Sequence, residues 1–214
     1  MIFLDIESSG IARGCFPIEI GWAEARADGR LAARSLLVRP APAWVAEPGA
    51  WDAAAEAVHG LGLDRLMAGG LGLEEACEAL DAALAGRVGA TDTGAGGWDA
   101  DGPAVLFEAA GREPGDRAVA ENPSGSHVAQ HMRGLGLSPA LVRPALKPFV
   151  PPHTHAAAED ALAFAWEWAM AAPLAAALAG RDAAAALADL PAVLPREAWP
   201  GVAPGLDYRR RHGG

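Results

Sequence analysis

The stretch Met1-Ile2-Phe3-Leu4-Asp5-Ile6-Glu7-Ser8-Ser9-Gly10 decides how the rest of the chain is read. Ile2 to Glu7 is apolar except for two carboxylates and stops at Ser8-Ser9-Gly10, where the chain must turn, so it reads as a strand. Side chains alternate along a strand, which puts Asp5 and Glu7 on one face and leaves Leu4 and Ile6 to pack on the other. Two carboxylates held side by side repel at neutral pH unless a cation sits between them. An acidic face on an exposed edge strand is the plain alternative, but the neighbouring residues are apolar enough for a central strand. A divalent metal is the natural resolution.

Outward from this strand, Pro17 to Arg26 and Leu31 to Arg39 read as two more strands, joined at Asp28-Gly29, a pair suited to a tight hairpin turn. The first three strands are therefore expected to be antiparallel. Pro40 to Gly49 is a Pro-rich loop. Helices are expected over Trp51–His59, Leu73–Ala85, Asp99–Ala110, Ser124–Leu135, Ala156–Gly180 and Asp182–Leu190, with short strands at Arg87–Thr91 and Arg117–Glu121 and a Pro-rich loop over Pro144–Pro152. Pro173 should kink or end its helix near Ala172. The order predicts an α/β fold with a central mixed sheet of five strands flanked by helices. Residues 1–180 form the expected domain. Residues 181–214 add a helix and a Pro- and Gly-spaced tail ending Arg209-Arg210-Arg211.

A chain of 214 residues with 51 % apolar and 21 % charged side chains can bury a real core, which excludes global disorder. Its net charge of -10 argues against holding nucleic acid by blanketing phosphates with basic side chains, though not against meeting phosphate through bound metal. Cys15 and Cys77 fit no ligand or redox pair and read as free thiols, the pattern of a cytosolic protein. Asp5 and Glu7 interrupt what would be the apolar region of a signal peptide. Ala161 to Ala179 could be mistaken for a membrane span, but it is alanine-rich, contains Glu167 and Pro173, and reads as a buried or amphipathic helix with no membrane partner.

Two further acidic positions stand out. Asp99 follows Trp98 after the loop Gly94–Gly97 and opens a helix; alone it would pass for an N-cap, as would Asp92 at the end of its strand. His155-Ala156-Ala157-Ala158-Glu159-Asp160 follows Pro151-Pro152, which delay helix initiation and leave His155 on a loop or first turn, where it can converge on Asp160.

Taken together, Asp5-Ile6-Glu7 on an N-terminal strand, Asp99 after an aromatic residue at a helix start, and His155-x-Ala-x-x-Asp160 resemble the three motifs of the DEDDh 3'-5' exonucleases. That group includes the proofreading subunit of bacterial DNA polymerase, ribonuclease T and oligoribonuclease. Val58-His59-Gly60-Leu61 resembles a stretch often found between the first two motifs. The resemblance covers roughly residues 1–175. It departs at Ala95, where Asn is common, and at Ser8-Ser9-Gly10, where Thr-Gly is usual.

The resemblance implies a ribonuclease-H-like fold and two Mg²⁺ or Mn²⁺ ions held by Asp5, Glu7, Asp99 and Asp160, with His155 as general base. It also implies a single-stranded nucleic acid 3' end or short oligonucleotide as substrate. Ser8, Gly10, Ile11, Arg13, Phe16 and Trp98 are then the expected contacts to the terminal nucleotide. A catalytically silent nucleic-acid-binding relative, or a structural partner module, is the alternative. The Ala156–Ala179 helix presents Leu162, Trp166, Trp168, Met170 and Leu174 on more than one side. That excess apolar width would be buried in a homodimer, or in cis by Leu190, Val193, Leu194 and Trp199 of the tail.

Overall fold

A computed structural model describes residues 1–87, 89–92, 98–112 and 126–203, without the side chains of residues 98–100. Four strands, β1 (Ile2–Ser8), β2 (Pro17–Ala25), β3 (Leu31–Leu37) and β4 (Gly89–Ala90), form one sheet in the order β3-β2-β1-β4. The first three are antiparallel, as their hairpin signals predict, and β4 runs parallel to β1. The sheet therefore has four strands among the described residues, not five; the strand expected at 117–121 lies outside them. The helices are α1 (Pro42–Ala46), α2 (Ala53–His59), α3 (Leu63–Gly69), α4 (Leu73–Leu84), α5 (Trp98–Ala109), α6 (His127–Gly134), α7 (Pro139–Leu146), α8 (Ala157–Leu178), α9 (Ala183–Leu187) and α10 (Leu190–Val193), with a 3-10 turn at Arg196–Ala198.

Strand alternation divides the core into two layers. Leu4, Ile6 and Ile20 pack with α4 and α5 on one side of the sheet, while Phe3, Ala23 and Ala33 pack with α8 on the other. Asp5 and Glu7 share the face that α8 covers. α8 is the one helix among the described residues long and apolar enough to cross a membrane, and 56 % of its most apolar window is buried. Its partners are the three long strands and α6, the surroundings of a core helix.

α8 runs through Pro173 to Leu178, two residues short of the expected Gly180, so of the two outcomes expected at Pro173, a kink or an end, the helix does not end there. Pro173 removes one backbone donor, and the burial of Leu174 and Leu178 against the core outweighs that loss. The segment after Leu190 is likewise folded back. Leu190 and Leu194 are buried, Trp199 packs edge-on against Trp166 at 5.9 Å, and Val202 bridges to Leu31 at the sheet edge. The cis cover is thus present as far as Ala203, and Arg209 to Arg211 lie outside the described residues.

One glycine sets how close α8 comes to the sheet. A Cβ on Gly21 would sit 2.0 Å from the carbonyl carbon of Ala157 and 2.2 Å from its oxygen, so β2 and the first turn of α8 meet backbone to backbone. Gly21 is the register partner of Asp5. This contact therefore fixes the height of α8 over the Asp5 carboxylate. Gly21→Ala should cost about 3 kcal/mol, because neither backbone can yield without moving an element. The loss would show as a drop of roughly 6–12 °C in melting temperature for a domain of this size, and an unchanged melting curve would refute the close contact.

Candidate metal centre

Three carboxylates converge where β1 passes under α8. Asp5, Glu7 and Asp160 each place an oxygen within 4.8 Å of the others, and their residues are only 6 %, 9 % and 1 % exposed. Asp160 reaches this point because α8 starts at Ala157, after the two prolines, and Asp160 lies in its first turn. The delayed start also leaves His155 ahead of the helix. His155 takes up the left-handed conformation, φ 54°, which costs a β-carbon-bearing residue about 1–2 kcal/mol. The bend accompanies two backbone hydrogen bonds: Thr154 and His155 donate their N–H groups to Asp160 at 2.9 and 3.1 Å.

Burial raises the Asp160 carboxyl above the ordinary carboxylate range; the Thr154 N–H and the fields of His153 and His155 oppose that rise. His153 Nδ1 lies 3.1 Å from Asp160 Oδ2, and the rings of His153 and His155 meet edge to face at 4.4 Å. Both histidines therefore stand at the same carboxylate, and His153, Asp160 and His155 form a second set of groups within ligand distance of one another.

Sequence reading missed one acidic side chain here. Glu19 is 1 % exposed and is registered opposite Glu7. It accepts a 2.6 Å hydrogen bond from Ser35 Oγ and one at 3.4 Å from the N–H of Ala157 at the start of α8. A negative charge at a helix N-terminus is favourable, so Glu19 helps seat the helix that carries Asp160. The signal available was a charge set between Ile18 and Ile20 in the apolar half of its strand.

The remaining predicted residues divide. Asp99 is the second residue of α5, and its side chain and that of Trp98 lie outside the described residues. Gly102, one turn later, packs on Ile6 so tightly that a Cβ would come within 2.7 Å, which brings the start of α5 to the end of β1. Asp92, the alternative to Asp99, is engaged by other groups. Its carboxylate accepts from Ser126 and pairs with Arg143 at 2.6 Å.

In the turn after β1, Ser8 Oγ donates to the carbonyl of Gly10 at 2.6 Å. Gly10 fits closely against Cys15 and Asp52, whereas Ile11, at 88 % exposure, and Arg13 are open to solvent. Phe16 corrects its expected substrate contact: it is 1 % exposed and stacks on Trp44 at 5.0 Å, so its ring belongs to the core. His59, in the stretch Val58–Leu61, is buried and accepts the Leu61 N–H at 3.1 Å, holding the end of α2.

About two turns along α8 from Asp160, Glu167 pairs at 2.9 Å with Arg143, which also pairs with Asp92. Burial pushes the Glu167 carboxyl up from its ordinary 4.5 to about 7; Arg143 pulls it down and Asp92 adds to the rise. The folded state therefore binds a proton that the unfolded chain releases between those values. The stabilisation is complete below pH 4.5 and is lost as pH rises through about 7, on the order of 3 kcal/mol in all. Glu167→Gln should abolish that part of the stability profile, which denaturant titrations between pH 5 and 8 would reveal. Parallel profiles for both proteins would contradict the raised value.

No family model and no curated protein matches the sequence. Among solved structures, that of cell-death related nuclease 4 (CRN-4) superposes with a TM-score of 0.42 at 12 % identity, over 78 % of this chain and 61 % of the other. The chain thus spans less than two thirds of that neighbour's length.

Proposed function

We propose that the protein is a metal-dependent 3'-5' exonuclease that removes nucleoside 5'-monophosphates from the 3' end of single-stranded nucleic acid or short oligonucleotides. The observation that carries this reading is the convergence of Asp5, Glu7 and Asp160, three nearly buried carboxylates within 4.8 Å. Such a set is costly without a cation, and all-oxygen donors suit Mg²⁺ or Mn²⁺. The donor set fits that metal class, with Asp99 as the fourth carboxylate by resemblance. When bound, two such ions supply charge neutralisation at the scissile phosphate and an acidified water.

The chain's own residues do the positioning. Asp5 and Glu7 are fixed by the β1 pleat, and Asp160 is oriented by the Thr154 and His155 N–H groups. His155, on the bend before α8, accepts the proton of the attacking water. Ile11, exposed beside the turn after β1, lies against the terminal nucleotide. An acidic chain can host this reaction because ions, and not a basic field, meet the substrate's charge.

The experiment is a comparison of a linear single-stranded oligonucleotide, the same strand blocked by a 3'-phosphate, and a circular single strand, each with Mn²⁺. The linear strand should be shortened from its 3' end and the blocked one cut much more slowly. Cleavage of the circle would overturn the exonuclease reading.

A further inference from the structure

The sheet carries a second polar site on the face away from the carboxylates. Along β2, Trp22 and Glu24 alternate with Gly21, Ala23 and Ala25; because Gly21 abuts α8, Trp22 and Glu24 face the opposite layer, and Arg26, just past the strand, lines the same cavity. Trp22 is registered opposite Arg34 of β3, which puts indole and guanidinium side by side on that face. With Arg87, just beyond α4, these side chains line a cavity of about 490 Å³ whose remaining wall is alanine, including Ala83. This volume is within the range of small-ligand sites, and the alanines leave room without offering competing polar groups.

The charges in the cavity are not all committed. Arg87 is held by the carbonyls of Leu84 and Ala83 at 3.0 and 2.9 Å and pairs with Glu24 at 2.5 Å, so the only carboxylate in the lining is already neutralised. Arg26 and Arg34 are exposed and have no salt-bridge partner among the described residues, although Arg26 contributes to the field that lowers Asp28. Three guanidinium groups and one carboxylate therefore surround a cavity in a chain whose net charge is -10. Two uncommitted guanidinium forks beside a half-buried indole match an anion joined to a flat ring: forked donors for phosphate oxygens and a π-surface for a base.

We propose that this cavity binds a nucleoside phosphate, with Arg26 and Arg34 on the phosphate and Trp22 against the base. A free mononucleotide and a phosphodiester strand offer the same chemistry. The site lies on the sheet face opposite Asp5 and Glu7 and is separate from the proposed hydrolysis.

The test uses the full chain in excess chelator, so that binding is read without hydrolysis and its outcome does not depend on the metal-centre reading. AMP is titrated by calorimetry and a fluorescently labelled single-stranded oligonucleotide by anisotropy, against wild type, the Arg26→Gln/Arg34→Gln double variant and Trp22→Leu. The double variant should melt like wild type, since both arginines are exposed, yet bind at least about tenfold more weakly, with a salt slope lower by about 1–2 for the oligonucleotide.

Loss of AMP binding alone assigns a free-nucleotide site, and loss of oligonucleotide binding alone a strand-holding site; either supports the proposal. Wild-type affinity of the double variant for both probes would overturn it. Inorganic phosphate binding as tightly as AMP, with Trp22→Leu unaffected, would overturn the nucleoside assignment. Tight binding of polyglutamate with no binding of AMP would replace it with an acidic protein partner.

Discussion

Asp5→Asn should lose at least about 10³-fold in hydrolysis of a short single-stranded oligonucleotide, beyond the roughly 10–100-fold typical of partners one shell removed from a metal. The reason is its place. Asp5 sits at the centre of β1, flanked by Glu7 on the same face and covered by Asp160 from α8. The same change relieves like-charge repulsion in the metal-free protein, so the variant should melt at or above the wild-type temperature in chelator.

Added Mn²⁺ should stabilise wild type by about 2.7 kcal/mol at a hundredfold excess over its dissociation constant, and the variant much less. Lost activity with lost stability would mean a folding defect. Full activity in excess chelator would refute a metal mechanism altogether.

The second large effect separates two histidines. His153 lies with Nδ1 3.1 Å from Asp160 Oδ2 and has a side chain 57 % exposed, the arrangement of a residue that helps hold the carboxylate. His155 is tied to Asp160 through its backbone N–H, which leaves the ring's role separate from that anchor. His155→Ala is expected to lower the rate by about 10²-fold or more, in the range of a positioned general base, and His153→Ala by less than about tenfold. His155→Gly keeps the left-handed bend and should be as inactive as His155→Ala, which distinguishes a lost base from a lost turn. The reverse ranking of the two alanine variants would assign the proton acceptor to His153.

What the sequence made legible was local. Strand β1, the shared face of Asp5 and Glu7, the Asp28-Gly29 hairpin and the late start of α8 all follow from alternation, turn residues and proline placement within a few positions. What it hid depends on partners distant along the chain. α3 is bounded by Gly62 and Gly70 and too short to show a clear period, and it is stabilised by burying Leu66. α7 begins at Pro139, a favourable first-turn position, but Pro144 disguises it as loop; Val142 and Leu146, buried against the α8 layer, hold it.

The candidate site shows the same division. His155 and Asp160 are five residues apart and could be read together, whereas Glu19 became relevant only through its register with Glu7 and its bond to Ala157. Asp92 ends its strand as a polar group without an evident partner in the sequence, which does not show that Arg143, 51 residues away, engages it. Phe16 looked like a stacking platform because sequence does not show that Trp44 already occupies its face.

The most direct test of the central claim is an anomalous difference map from a crystal of the full chain soaked in Mn²⁺. The account predicts a peak bounded by the carboxylates of Asp5, Glu7 and Asp160 that disappears in Asp5→Asn; a map with no peak there at saturating Mn²⁺ would contradict it.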